Sequence, residues 1–321
     1  MNITALLVKI FITKGIPTMK QKSEKLTIQQ AFRDFIDIKS LTSTPQTINN
    51  YIFGYQVLCS EVGIMGDEPV TILNKALFEQ WKNVRLQSSS PVSTSNQYLS
   101  VIRSFIYWLQ EQEYIPLFHI KLIKNDYAMI VQKYSEDDIE KLLQKPSKTD
   151  KFIRWREWLI VNLMLATGVR IGSVVWLRKS DITEDSITFT HTKTHKVLTF
   201  PLSQTLKKAI KSYLDTWEIN SEWLIPTQTG IQATPRNLIY SFTTYCNERG
   251  VNYKGFHALR HFFAWKMWKE GTDIIIIQHY LGHSSLEMTR HYIGKLTEAD
   301  VSPVLVPLDY MMKVKKITRK N

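Results

Sequence analysis

Apolar side chains recur at helical spacing through most of this chain and switch to alternation in two short runs. Behind Thr27, a residue type that caps helix starts, QQAFRDFIDI predicts a first helix. A cap at Thr44 or Thr47 precedes a second, in which Ile48, Tyr51, Ile52, Tyr55, Leu58, Cys59 and Val62 fall on one face. VTILNKALFEQWKNVRL predicts a third. The loop SSSPVS, Ser88 to Ser93, separates it from TSNQYLSVIRSFIYWLQEQ, a long amphipathic helix with Leu99, Ile102, Phe105, Ile106 and Leu109 along one side. Together these make residues 25–115 a small all-α domain. Residues 1–24 read as an extension ahead of it, with Met19 an alternative start.

Residues 116–134 show no clean period and read as a linker. Ser135 to Asp138 then form a capping box ahead of IEKLL, which opens a second domain at 135–298. In it REWLIVNLMLATG reads as a buried helix ended by Gly168, followed by a short helix from Ile171 to Arg178. SITFTHT, Ser186 to Thr192, alternates as a strand does, and KVLTFPL, Lys196 to Leu202, pairs with it across a tight turn near Lys193, Thr194 and His195. Helices are expected at about 203–217, 235–249, 257–270, 273–281 and 285–293. The fold class is therefore mainly α with one small β-hairpin, in two domains. A tail at 299–321 carries the apolar run VSPVLVPLDYMM and then KVKKITRKN, which reads as a solvated end or a contact to DNA or a neighbouring subunit.

Composition narrows the setting. A length of 321 residues exceeds what one core usually supports, so two domains are favoured. The net charge of +12 favours a polyanionic partner. Cys59 and Cys246 have neither metal nor redox spacing and read as reduced thiols. No apolar run is long enough to span a membrane, and ITALLVKIFI is interrupted by Lys9 and makes a poor signal peptide, so a cytoplasmic protein is expected.

The candidate chemistry lies mostly in the last third. His257 and Arg260 sit in HALRH, His283 in LGHSS and Tyr292 in RHYI, while Arg170 lies upstream in ATGVRIG. Singly, each has an ordinary reading: a surface hydrogen bond, a helix cap, a core tyrosine. Jointly they supply what metal-free phosphodiester cleavage needs. A phenol can be the nucleophile, but with a pKa near 10 only about one in a thousand is ionised at pH 7, so a base or a cationic field must act on it. Guanidiniums grip phosphate oxygens in pairs and stay charged. Histidines hydrogen-bond the phosphate and move protons, and the departing 5′ oxygen needs an acid, for which Lys193 on the hairpin turn is the candidate. No metal-ligand cluster or glycine-rich phosphate loop is found, so no cofactor is expected.

These segments resemble the tyrosine recombinase (phage-integrase) family: ATGVRIGSVVWLRKSDI, TKTHK between two strands, HALRHFFAW and LGHSSLEMTRHYI. The resemblance covers about residues 135–295 and extends loosely to the helical domain, which looks like the family's core-binding domain. It implies that Tyr292 is the nucleophile of a 3′-phosphotyrosine intermediate and that Arg170 and Arg260 bind the phosphate. It further implies that Lys193 is the general acid, that His257 accepts the tyrosine proton and that His283 hydrogen-bonds the scissile phosphate. The implied partners are double-stranded DNA with specific sites, accessory proteins and three further copies in a tetramer on DNA. Two positions depart from the pattern. Gly172-Ser173 stand where the family has Ser-Glu, so a supporting carboxylate is absent or supplied elsewhere, and His195 stands where the turn usually has glycine, so a longer or differently shaped hairpin is expected and Lys196 is the fallback acid. Two other readings share parts of this pattern: a type IB topoisomerase-like enzyme and a non-catalytic DNA-binding accessory protein.

Overall fold

The computed structural model describes residues 26–124, 132–193 and 195–297, which fall into two compact units. The expected N-terminal extension, most of the expected linker's second half and the expected tail lie outside the described residues.

Among the described residues the first unit holds four α-helices: α1 (Ile28–Ser40), α2 (Pro45–Val62), α3 (Lys75–Gln87) and α4 (Val92–Glu111). Thr27 caps α1 in a reciprocal box with Gln30, and Thr44, not Thr47, caps α2. The helix expected from Val70 starts at Lys75 instead, because Asn74 accepts the Leu77 N–H and caps it there, leaving Val70–Ile72 as a single 3-10 turn. At the other end α4 starts inside the expected loop, at Val92, directly after Pro91. Aromatic rings lock the core: Phe32 stacks on Tyr55 at 4.0 Å and meets Phe105 edge-on at 5.2 Å. Where α2 crosses α4, a Cβ on Gly54 would lie 2.7 Å from Val101 Cγ1, so the close approach requires glycine. Ile52, expected on the buried face, is exposed, since that crossing turns Gly54 and Leu58 inward instead.

The stretch read as a linker starts with ordered chain. Ile120 and Ile123 are buried in the first unit's core. Asn96 makes two 2.8 Å bonds to the Ile123 backbone, and Gln110 donates to the carbonyls of Pro116 and Phe118. Side-chain amides thus satisfy the backbone that no helix or strand would.

The second unit is built around α6 (Phe152–Thr167), which is buried on nearly every side. Against it pack α5 (Glu136–Leu143), α8 (Gln204–Thr216), α9 (Pro235–Glu248) and α10 (Phe256–Lys269). The remaining elements are α7 (Ile171–Val174), α11 (Ile274–Leu281), α12 (Leu286–Thr297) and the antiparallel pair β1 (Ser186–Phe189) and β2 (Leu198–Pro201). Tyr134, also within the expected linker, is buried in this unit's core. The predicted capping box at Ser135 and Asp138 is present. The short helix expected through Arg178 stops at Val174, and Lys179–Asp181 form a separate 3-10 turn held by Asp181 bonding back to the Arg178 N–H. Both cysteines are free thiols. No described helix is long and apolar enough to cross a membrane.

Candidate active site

Gly168 is the pivot of the site. It ends α6 at φ 65°, donating its N–H to the Met164 carbonyl at 2.8 Å. A side chain could not replace it: a Cβ would lie 2.4 Å from Phe263 Cδ1. Two residues on, Arg170 stands half-buried at the start of α7.

Arg260 projects from α10 and is 2% exposed. It donates from Nη1 to the Gly168 carbonyl at 2.7 Å, and from Nη2 to the Leu281 carbonyl at 2.7 Å and to His283 Nε2 at 3.2 Å. A guanidinium has five N–H donors, so two are left over. The same side chain thereby pins the ends of α6 and α11 together. Gly282, at φ 60°, caps α11 and turns the chain so that His283 N–H bonds the Gln278 carbonyl at 3.2 Å. On its other side the His283 ring meets Thr289 Oγ1 through Nδ1 at 3.0 Å. Thr289 is fully buried on α12, and Tyr292 follows one helical turn later on the same face.

The Tyr292 ring packs against His261 at 5.0 Å and edge-on against His283 at 5.3 Å. Its hydroxyl is buried and makes no hydrogen bond of ordinary geometry among the described residues. Burial pushes the phenol up to about 12, while Arg260, by its charge and by directing an N–H toward the hydroxyl, and then the Arg170 charge pull it down. Burial also lowers both guanidiniums, Arg260 to about 10, with Arg170 adding to the effect there and Tyr292 opposing it. Among the described residues no carboxylate pairs with either arginine. Ser173, where the resembled pattern has an acid, is buried and offers none.

His257, one turn before Arg260 and exposed, is lowered by partial burial and then by the charges of Arg260, Arg170 and, last, Lys193. Lys193 sits on the connection between the strands. That connection is longer than the expected tight turn: β1 ends at Phe189 and β2 begins at Leu198. The backbone reverses where His195, at φ 56°, donates its N–H to the Thr192 carbonyl, while Thr192 Oγ1 donates to the Lys196 carbonyl at 2.7 Å. Without glycine at the reversal, the chain forms this looser loop.

Arg170, His257, Arg260, His283 and Tyr292 come together in the second unit, Lys193 bears on them through the effect of its charge on His257, and two more residues join them. His261 packs against Tyr292 with the two rings tilted by 30°, has a buried Nδ1 with no hydrogen-bond partner among the described residues, and is lowered to about 4 by burial, then His257 and Arg260. In the sequence it stands four residues after His257 and one after Arg260, so all three share one face of α10, and the His257 and His261 rings lie 6.2 Å apart. Thr289 was legible only as a residue three before Tyr292. No group of three or more His, Cys, Asp or Glu side chains able to hold a metal occurs among the described residues. Chemically, the pocket is a cluster of cations without an internal counter-ion beside a nucleophile type, an arrangement suited to an anion from outside.

Residues 132–298 match the model of the phage integrase family. The tyrosine recombinase XerC of Thermodesulfovibrio yellowstonii is 29% identical over 207 residues, spanning 60% of this chain and 68% of that protein. The integrase of Haemophilus phage HP1 is 28% identical over 255 residues, spanning 73% and 67%. Among solved structures, a lambda integrase tetramer bound to a Holliday junction shares the fold, with a TM-score of 0.72 at 15% identity over 94% of this chain and 89% of that one.

Proposed function

The chain belongs to the phage integrase family, and from that premise we propose how its own residues carry the reaction. It is a site-specific recombinase, an enzyme that breaks and rejoins DNA. Tyr292 Oη attacks the scissile phosphorus, forming a 3′-phosphotyrosine as the bond to the 5′ oxygen breaks. The phenol proton passes to His257, and Lys193 protonates the departing 5′ oxygen. Attack by a 5′ hydroxyl of the partner strand on the phosphotyrosine reverses these transfers, so the bond energy is conserved and no nucleotide is consumed. Arg170 and Arg260 hold the non-bridging oxygens and stabilise the five-coordinate phosphorus. His283 adds a hydrogen bond.

The observation that carries this reading is the placement of the buried Tyr292 hydroxyl under the charges of both Arg170 and Arg260. A phenol at about 12 is neutral at pH 7, so the guanidiniums alone do not ionise it and a base is required. His257 is suited to that part, since its lowered pKa keeps it neutral. The helical first unit and the catalytic unit both grip duplex DNA, the basic surplus contacting phosphates. Four copies assemble on paired sites, as exchange between two duplexes needs, and the protein works at the nucleoid.

The test is covalent capture. Incubation with a library of nicked duplexes yields detergent-resistant protein–DNA adducts, whose sequences report the site and whose peptide carries the nucleotide on Tyr292. Tyr292→Phe retains DNA binding and forms none. Adducts in that variant, or a nucleotide on another residue, overturn the assignment. Lys193→Ala slows cleavage, and a 5′-bridging sulfur, which leaves without a proton, rescues it. Failure of rescue, with Lys196→Ala rescued in its place, moves the acid to Lys196.

A further inference from the structure

The hydrogen bonds around His283 fix where its proton lies. Arg260 has only donors, so the nitrogen it meets, Nε2, presents a lone pair. Burial, with Arg260 and Arg170 nearby, holds the ring near 4, hence neutral at pH 7. A neutral imidazole carries one N–H, which is therefore on Nδ1 and donates to Thr289 Oγ1 at 3.0 Å. Thr289 in turn directs its hydroxyl hydrogen to the Ser285 carbonyl at 3.5 Å. The donors run in one direction, from Arg260 through His283 and Thr289 to Ser285.

This direction is wrong for holding a phosphate. A lone pair on Nε2 accepts from a guanidinium but repels an anionic oxygen. To donate as a neutral ring, His283 must carry its N–H on Nε2, and Nδ1 must then accept. Thr289 is the one group at Nδ1 among the described residues, it is fully buried, and a hydroxyl can turn from acceptor to donor. We propose that Thr289 is a positioning residue: it holds His283 in the Nδ1–H form while the pocket is empty and, by reversing its hydroxyl, admits the Nε2–H form when a phosphate engages. The inference rests on the reading of His283 as a phosphate ligand.

The test is the ring-nitrogen NMR spectrum of full-length protein, with His283 assigned by its loss in His283→Gln, without and with inorganic phosphate. The free protein shows Nδ1–H, and phosphate shifts it toward Nε2–H. Thr289→Val loses the single-tautomer signature, and its adduct formation falls about ten- to a hundredfold, the range that removal of an orienting partner brings elsewhere. Thr289→Ser restores both, which a packing role alone would not require. Nε2–H in the free wild type, a spectrum indifferent to phosphate, or Thr289→Val with unchanged spectrum and rate overturns the proposal. Should Thr289→Val not fold, the wild-type and Thr289→Ser spectra decide alone. His283→Ala with undiminished adduct formation instead overturns the phosphate-ligand reading, whatever the tautomer.

Discussion

Two arginines of the second unit are buried almost equally, Arg156 at 5% exposed and Arg260 at 2%, and are answered in opposite ways. Arg156, on α6, donates from Nε and Nη2 to Glu157 Oε1 at 3.1 and 2.7 Å, from Nη2 to Ser241 Oγ at 2.8 Å and from Nη1 to the Pro226 carbonyl at 3.2 Å. Its charge meets a carboxyl within the protein, whose own pKa burial pushes up and Arg156 pulls back. Arg260 meets two carbonyl dipoles, an imidazole lone pair and, nearby, a second guanidinium. Desolvating a charge costs several kcal/mol (about 3–5 when a buried partner is taken away), so a guanidinium left uncompensated in a core signals an anion still to arrive. Burial alone does not separate a structural arginine from a reactive one; the identity of its partners does.

The comparison can be broken from either side. The largest effect is on Arg260→Lys, which keeps the charge but loses the fork. Adduct formation falls about 10²- to 10³-fold, as loss of one oriented transition-state donor does. Stability falls less, because an ammonium can still reach one of the two carbonyls. Adduct rates and denaturant melts on the same preparations check both. Next, Arg156→Met costs about 3–5 kcal/mol of stability by leaving Glu157 buried without its partner, and adding Glu157→Leu returns most of it. The adduct rate per folded molecule stays within about twofold, since a change remote from the site leaves transition-state binding intact. If Arg156→Met instead kills chemistry in folded protein, the division between the two arginines fails.

Much of this was legible before any coordinates. Helix periodicity marked most elements of both units, and caps at Thr27, at Thr44 or Thr47, at Ser135 and at Gly168 marked their ends, with the structure choosing Thr44. What escaped depends on distant partners. Ile120 and Ile123 look like linker until Asn96 and Gln110 are seen to tie that segment down. Thr289 was hidden because its significance lies in what it touches, His283 Nδ1, whereas His261 stands at i+4 from His257 on the same helix face and was missed because the Tyr292 ring it meets comes from a distant helix.

Titration separates the regions more gently. His261 and His283 are both lowered to about 4 in the folded protein, against about 6.5 unfolded. Between those values the unfolded chain binds more protons, so stability rises with pH. The contribution is fully present above about 6.5 and is lost as pH falls toward 4. His261→Phe keeps a ring against Tyr292 and removes one of the two titrations, so the acid limb of a stability–pH curve becomes shallower. An unchanged limb would mean that His261 is not held neutral by the pocket.

The smallest expected effect is at the hairpin, where the chain is exposed and pays a backbone cost that the buried pocket avoids by using glycine. Gly168 and Gly282 take the left-handed conformation in the pocket, whereas His195 takes it at φ 56° on the β1–β2 connection. A side chain there costs about 1–2 kcal/mol. Replacing it by glycine removes that strain but adds about 0.5–1 kcal/mol of unfolded-state entropy. The strain is the larger of the two, so His195→Gly gains up to about 1 kcal/mol in a denaturant melt. Lys193 is held through the Thr192 bonds to His195 N–H and the Lys196 carbonyl, and the first of these needs only a backbone N–H. The adduct rate therefore stays within about twofold, a change of at most ~0.4 kcal/mol in the barrier. A rate that falls tenfold while stability rises would show that the strained turn, and not the hydrogen bonds at its base, is what aims Lys193.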